Sequence, residues 1–154
     1  MSEPMEIKNL ADRLIRRHES NDPFRIAADL GIHICYEPLG TIRGYYSQAW
    51  RQKFIHINND LPADIVPFVC AHELGHALLH PTASTPFLRA NTLLSVNRLE
   101  IEANRFAACL LLSDADIVEY AHSGYTTAQV SACTGLPETL VQYRADTCPA
   151  LNGV

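Results

Sequence analysis

The segment His72-Glu73-Leu74-Gly75-His76 has the residue types and the spacing of a hydrolytic metal site. Two histidines four residues apart on a helix lie on the same face, so both imidazoles can bind a single cation. Glu73 lies beside that face, where its carboxylate can accept a proton from a water molecule that the metal activates. This is the H-E-x-x-H pattern of zinc hydrolases, in which the glutamate is the general base. Because five residues with three fixed occur by chance in many chains, the pattern needs support from a third ligand.

The third ligand is expected on the predicted helix that follows a loop at residues 82–96. A hydrolytic zinc needs three protein ligands and one position open to water, and this helix offers Glu100 and Glu102. Positions two apart on a helix point in different directions, so at most one of them faces the metal. Glu100 is preferred, because it shares its face with small alanines, which allow a close approach, and with Asn104, which can brace a ligand imidazole. Glu102 shares its face with Arg105 and is predicted to be a surface carboxylate paired with it.

Other polar residues are open candidates for further roles. His80, four residues after His76, is an alternative third ligand. It lies at the predicted end of the helix, however, and the longer H-E-x-x-H-x-x-G-x-x-H motif requires a glycine turn and a wider spacing, so a histidine favoured by the helix dipole is preferred. Peptide hydrolysis also needs a donor to the tetrahedral oxyanion. Tyr45, Tyr46, His80 and Tyr125 are candidates that the sequence does not rank.

Composition and charge indicate one folded domain of 154 residues with a formal net charge of −5. Apolar residues make up 47% of the chain and charged residues 19%, as in an ordinary folded protein. The acidic balance argues against direct binding of nucleic acid or of an anionic membrane. The first six residues do not resemble a signal peptide, and the longest apolar run, 106–112, is too short to cross a bilayer. Five scattered cysteines without a C-x-x-C pair indicate reduced thiols, so a cytoplasmic location is expected.

The first part of the chain, about residues 5–60, is predicted to hold two helices and a small sheet. Apolar periodicity predicts a helix to about His18, and Asp22-Pro23 predicts the capped start of a second, short one. Three strands follow, ending with the segment 54–58, and an antiparallel arrangement is expected. The overall fold class predicted is α+β, with a three-stranded antiparallel sheet ahead of a helical zincin-like core.

The remainder is predicted to be helical, with metal-binding helices at about 62–112 and C-terminal helices at about 114–145. Asp64 is the expected N-cap of the first metal helix, which places Pro67 in its first turn. Asn97-x-x-Glu100 and Ser113-x-x-Asp116 have the pattern of capping boxes. The segment 126–144 could be taken for a helix-turn-helix, but only Gln142 and Arg144 there could read DNA. A helical pair packed on the catalytic domain, or a protein-docking surface, is preferred.

In the segments 72–80 and 100–112 the chain resembles the ImmA/IrrE family of metallo-endopeptidases, and the strand at 54–58 is also similar. The resemblance covers about residues 5–120. It implies that His72, His76 and Glu100 bind one zinc ion and that Glu73 is the catalytic base. Ser113 is a departure, since the family usually has proline after the leucine run, but it affects only the start of the next helix.

The resemblance also implies a function. Similar family members are found on phages and integrative elements, where they cleave or inactivate a partner repressor with a helix-turn-helix DNA-binding domain. A zinc endopeptidase acting on such a repressor is therefore expected, with Phe87 and Leu88 of the 82–96 loop as substrate contacts. The alternative is a non-proteolytic regulatory protein with structural zinc, which inactivates its partner by docking. Glu73 favours the enzyme, because a purely structural site does not need a base.

Overall fold

A computed structural model describes residues 4–83 and 93–152 of the chain. In these ranges a three-stranded sheet is combined with helices on either side of it in sequence, which confirms the α+β prediction. The elements are α1 Pro4–His18, α2 Pro23–Asp29, β1 His33–Glu37, β2 Gly44–Ala49, β3 Gln52–Asn58, α3 Val66–Leu79, α4 Leu93–Leu111, α5 Asp114–His122, α6 Thr127–Thr134 and α7 Glu138–Thr147.

Helix α1 ends and helix α2 begins where the sequence predicts. The carboxylate of Asp22 accepts a hydrogen bond from the backbone N–H of Phe24 at 2.9 Å, and Pro23 lies in the first turn of α2. Gly31 follows that helix with φ +74°, a conformation that glycine adopts without strain. One face of α1 is buried and packs against α4.

The sheet has three strands as predicted, but the antiparallel arrangement is wrong for one pair. The strand order is β1-β3-β2; β2 pairs antiparallel with β3, whereas β1 runs parallel to β3. The hairpin between β2 and β3 explains the antiparallel pair. The chain reverses direction at residues 38–43 and again at this hairpin, so β1 and β3 run in the same direction. Because the connection at residues 38–43 crosses to the opposite edge of the sheet, β3 lies between β1 and β2 and pairs with β1 in parallel.

Helix α3 carries the H-E-x-x-H segment through the interior of the protein. All ten residues from Phe68 to Ala77 are buried, which explains why the helix is apolar on several faces. Pro67 lies in the first turn as predicted. The prediction of Asp64 as N-cap is wrong: the cap is Ile65, which makes no side-chain capping hydrogen bond, so the helix begins later than the sequence suggested.

Helix α4 begins at Leu93, so Asn97 lies inside it and the predicted capping box at Asn97-x-x-Glu100 is wrong. The helix lies close to α3 at Gly75. A Cβ atom added to that glycine would lie 3.1 Å from Phe106 Cδ1 and 3.3 Å from Ala103 Cα. Glycine and alanine at this crossing therefore allow the two helices to approach closely enough to share one site.

Helix α7 packs against α4, and the helices α5 and α6 pack against α7. Ser113 and Asp116 form the predicted capping box at the start of α5. Arg144, only 1% exposed, donates to the backbone oxygen of Leu112 at 2.8 Å and to the carboxylate of Asp114 at 2.6 Å, which ties α7 to the end of α4 and the start of α5. Within the described ranges, no helix is long and apolar enough to span a membrane.

Candidate metal centre

Three side chains from α3 and α4 converge on one point. His72 and His76, one turn apart on α3, direct their Nε2 atoms at Glu100 on α4. His72 Nε2 lies 3.1 Å from Glu100 Oε2, and His76 Nε2 lies 2.9 Å from Glu100 Oε1. The candidate ligand atoms of the three residues all lie within 4.8 Å of one another. The structure thus brings together the three residues that the sequence suggested as ligands.

The hydrogen bond on the other side of His72 leaves its Nε2 atom available to bind a cation. Its Nδ1 lies 2.8 Å from the amide oxygen of Asn104, which can only accept, so the Nδ1 atom carries the proton. In the neutral imidazole the Nε2 atom then has a lone pair facing the carboxylate of Glu100. Two acceptors this close require a proton or a metal ion between them. Two imidazole nitrogens and a carboxylate suit zinc, whose bonds to such ligands are about 2.0–2.2 Å long.

Burial, hydrogen bonds and neighbouring charges shift the pKa values of these three groups when no metal is bound. Burial lowers the pKa of His72, but the hydrogen bond to Glu100 and the negative charges of Glu73 and Glu100 outweigh it and leave that pKa raised. For His76, burial dominates and lowers the pKa to about 4. Burial would raise the pKa of Glu100, yet its hydrogen bonds to the two imidazoles hold it well below the usual value. The site therefore keeps a carboxylate charged and an imidazole lone pair available at neutral pH.

Glu73 lies beside the three donors without being one of them. Its side chain is almost completely buried, at 1% exposure, and a carboxylate oxygen lies 3.9 Å from His72 Nε2. Strand β2 packs against it: a Cβ atom on Gly44 would lie 3.6 Å from Glu73 Cγ and 2.9 Å from Val69 Cγ1. The absence of a side chain at position 44 thus lets the strand pass directly over the side chain of Glu73.

A small cleft of about 140 Å³ opens onto this arrangement. Among the described residues, its lining combines His72, Glu73, Glu100 and Asn104 with the apolar Phe68 and Val69 and the cationic Arg43. Arg43 was not singled out from the sequence. It belongs to the connection before β2, and only the packing of that strand onto α3 brings it to the cleft.

His80 and Glu102 form a second polar contact at the edge of the site. His80 Nδ1 lies 3.0 Å from His76 Nδ1, and His80 Nε2 lies 2.7 Å from Glu102 Oε1. Glu102 is 5% exposed and His80 is 9% exposed. The prediction of Glu102 as a surface carboxylate is therefore wrong. The i, i+4 spacing of His76 and His80 indicated that these two rings could meet. Nothing in the sequence indicated that Glu102, on another helix, would contact His80.

Comparison with known proteins decides the family. Residues 27–146 match peptidase family M78, described as the IrrE N-terminal-like domain. The chain belongs to the ImmA/IrrE family. It is 38% identical over 139 residues to the uncharacterized immunity region protein 2 of Bacillus phage phi105, covering 90% of this chain and 88% of that protein. It is 30% identical over 142 residues to the metallopeptidase ImmA of Bacillus subtilis (strain 168), covering 90% and 83% of the two chains.

In this ImmA/IrrE chain the tyrosines considered as oxyanion donors lie elsewhere than the cleft lining. The Tyr45 hydroxyl donates to Glu37 at 3.3 Å and its ring stacks on His56. The Tyr46 hydroxyl donates to the backbone oxygen of Pro81 at 2.6 Å. Tyr125 lines a separate surface depression on α5. The expected substrate contacts Phe87 and Leu88 lie outside the described residues.

Proposed function

We propose that this ImmA/IrrE protein is a zinc-dependent endopeptidase in which His72, His76 and Glu100 hold one zinc ion and Glu73 is the general base. One observation carries the proposal: two imidazole nitrogens and a carboxylate converge on one point, and a further, buried carboxyl group lies 3.9 Å from the nearest of these nitrogens. A structural site would not need that additional carboxylate, and its burial has an energetic cost that a catalytic role explains.

When bound there, zinc would supply Lewis-acid activation of a water molecule and of the scissile carbonyl group. The Glu73 carboxylate would accept a proton from the attacking water and pass it to the leaving amine nitrogen as the C–N bond breaks. Burial keeps this carboxylate away from bulk water, and the packing of β2 on α3 holds it in place. Proton transfer of this kind contributes roughly 10²–10⁴-fold to the rate.

Arg43 is proposed to stabilise the negative charge that develops on the carbonyl oxygen. It is the cationic side chain among the described residues that line the cleft. A guanidinium group presents several N–H donors and stays charged at all physiological pH values, so it can donate hydrogen bonds to an oxyanion. The apolar Phe68 and Val69 on the same wall would contact a substrate side chain.

The substrate is proposed to be a helix-turn-helix repressor encoded near this gene on a phage or mobile element. The name of the phi105 relative, an immunity region protein, supports a connection with phage immunity. The net charge of −5 supports action on a protein rather than direct binding to DNA. The five cysteines form no disulfide, which supports action in the reducing cytoplasm.

The test is incubation of the purified repressor with the zinc-loaded wild type and with Glu73→Gln, followed by mass spectrometry of the products. Cleavage at one peptide bond by the wild type, and at least roughly 10²-fold slower cleavage by the variant, is the expected result. Glu119→Gln, an exposed carboxylate of α5, serves as the matched control and should cleave like the wild type. Intact repressor that nevertheless loses its DNA binding in the presence of either protein would favour the non-proteolytic docking protein instead.

A further inference from the structure

The His80–Glu102 pair lies in a buried position that the proposed hydrolytic steps do not use. His80 is the C-cap residue of α3, and its backbone N–H donates to the His76 carbonyl oxygen at 2.8 Å. Its ring therefore stays next to the ring of His76, with 3.0 Å between the two Nδ1 atoms. Glu102 comes from α4 and contacts the far nitrogen of His80 at 2.7 Å. The result is a continuous line from a ligand imidazole through a second imidazole to a carboxylate.

The donors and acceptors of these three side chains determine which nitrogen of each imidazole carries the proton. Two Nδ1 atoms at 3.0 Å need one proton between them, because a neutral imidazole has one donor and one acceptor. Glu102 accepts, so His80 has its proton on Nε2 and presents a lone pair at Nδ1. His76 must then donate from its own Nδ1, which leaves the lone pair of its Nε2 atom facing Glu100. Each contact between His76, His80 and Glu102 is satisfied in this arrangement.

We infer that His80 and Glu102 are positioning residues that fix His76 in the tautomer and ring orientation that bind the metal through Nε2. The carboxylate of Glu102 polarises His80, so His80 accepts a stronger hydrogen bond from His76. This makes the lone pair of His76 Nε2 a stronger ligand for the metal. This inference rests on the proposed zinc site and assigns neither residue as a ligand.

The same α4 helix braces both ligand imidazoles, but by different routes. Asn104 reaches His72 directly, at 2.8 Å from its Nδ1. Glu102 reaches His76 through His80, whose ring lies between them, with one nitrogen 3.0 Å from His76 Nδ1 and the other 2.7 Å from Glu102 Oε1. Helix α4 thus acts on the same centre through three residues at alternate positions, Glu100, Glu102 and Asn104. Glu100 faces the Nε2 atoms of the two histidines. Asn104 contacts the Nδ1 atom of His72 directly, and Glu102 acts on the Nδ1 atom of His76 through His80.

The experiment measures the zinc dissociation constant by competition with a chromophoric chelator for the wild type, His80→Leu, Glu102→Leu and Glu102→Gln. His80→Leu and Glu102→Leu are expected to weaken zinc binding about 10–100-fold. Glu102→Gln is expected to weaken it less, because the amide oxygen can still accept from His80 Nε2. In the double leucine variant the effect should not exceed that of His80→Leu alone, since Glu102 acts through His80.

His18→Leu is the matched control. His18 is another buried histidine, 9% exposed, with its Nδ1 atom 3.0 Å from the carboxylate of Asp29, but it lies on α1 outside the site. Its replacement should leave the zinc dissociation constant unchanged even where it lowers the melting temperature. Thermal unfolding of the metal-free variants separates a loss of folding from a loss of metal affinity.

The tautomers of His76 and His80 can also be determined on the wild type, so this test does not depend on whether the variants fold. Two-bond nitrogen–proton correlation spectra of the zinc-loaded protein should show His76 protonated at Nδ1 and His80 protonated at Nε2. An unprotonated His76 Nδ1, or folded leucine variants with wild-type zinc affinity, would overturn this inference while leaving the zinc site intact. A wild type that binds no zinc would overturn the proposed function itself, and with it this inference.

Discussion

Asn104 Oδ1 lies 2.8 Å from His72 Nδ1, one helical turn after Glu100 on the same helix. A single turn of α4 therefore supplies both a carboxylate next to the Nε2 atom of His72 and a hydrogen-bond acceptor for its Nδ1 atom. We predict that Asn104→Leu weakens zinc binding about 10–100-fold, because the imidazole loses the hydrogen bond that fixes its tautomer. Asn104→Asp keeps an acceptor and should retain much of the affinity. Equal zinc dissociation constants for the wild type and the leucine variant, measured by chelator competition, would show that this contact does not act on the metal.

Arg43 should affect turnover and leave metal binding unchanged. If its guanidinium stabilises the developing oxyanion, Arg43→Ala is expected to lower kcat about 10²–10³-fold, with zinc content equal to that of the wild type. Arg43→Lys should recover part of the rate, because it keeps the charge but not the planar donor geometry. Arg51→Ala, in the turn between β2 and β3, is the control. A higher KM with an unchanged kcat for Arg43→Ala would instead assign Arg43 to substrate binding.

Gly44 should tolerate no side chain, because β2 passes over α3 at this position. A Cβ atom there would lie 2.7 Å from the backbone oxygen of His56 and 2.9 Å from Val69 Cγ1. Gly44→Val is therefore expected to destabilise the protein by about 1–3 kcal/mol, through displacement of the strand. At roughly 2–4 °C per kcal/mol for a chain of this size, thermal unfolding should detect it. Ala49→Val, at the exposed end of the same strand, should unfold like the wild type.

The ion pair between Asp114 and the buried Arg144 should make stability depend on pH in the acid range. Burial would raise the pKa of Asp114, but its hydrogen bonds to Arg144 and Lys8 outweigh this and lower it. The stabilisation is therefore fully present above the unfolded pKa of about 3.9 and is lost as the pH falls through the lower folded value.

Asp114→Asn is accordingly expected to lower the free energy of unfolding by about 1 kcal/mol at pH 7, a modest value because the carboxylate is partly exposed. The difference from the wild type should shrink as the pH is lowered below about 4. Urea unfolding at several pH values measures it, and Asp146→Asn, an exposed carboxylate of α7, is the control. A difference that grew toward acid pH would mean that the folded protein raises the pKa of Asp114 instead of lowering it.

Local patterns in the sequence predicted the parts of the fold that depend on local chemistry. The capped start of α2 at Asp22 and the capping box at Ser113 depend on side chains within three residues of each other, and both are present. The H-E-x-x-H spacing followed from helical geometry, and the preference for Glu100 over Glu102 followed from the residue types that share the helix face of each; the structure brings His72, His76 and Glu100 together.

What the sequence did not reveal depends on contacts between distant elements. The pattern at Asn97-x-x-Glu100 is that of a capping box, yet the helix continues through it, since the same residue types also fit a helix interior. Glu102 is buried and contacts His80, which lies at the end of another helix. The parallel pairing of β1 with β3 is set by the path of the connection at residues 38–43, which periodicity along a strand does not determine.

The most direct test of the central claim is the zinc content and coordination of the purified protein. X-ray absorption spectroscopy on the wild type should show two imidazole nitrogens and a carboxylate oxygen on one zinc ion. Elemental analysis should give about one zinc per chain for the wild type and for Glu73→Gln, but a strongly reduced content for Glu100→Ala. Loss of zinc from Glu73→Gln would place that residue in the coordination sphere rather than beside it. Equal zinc content in all three proteins, or none in the wild type, would contradict a zinc centre built from His72, His76 and Glu100.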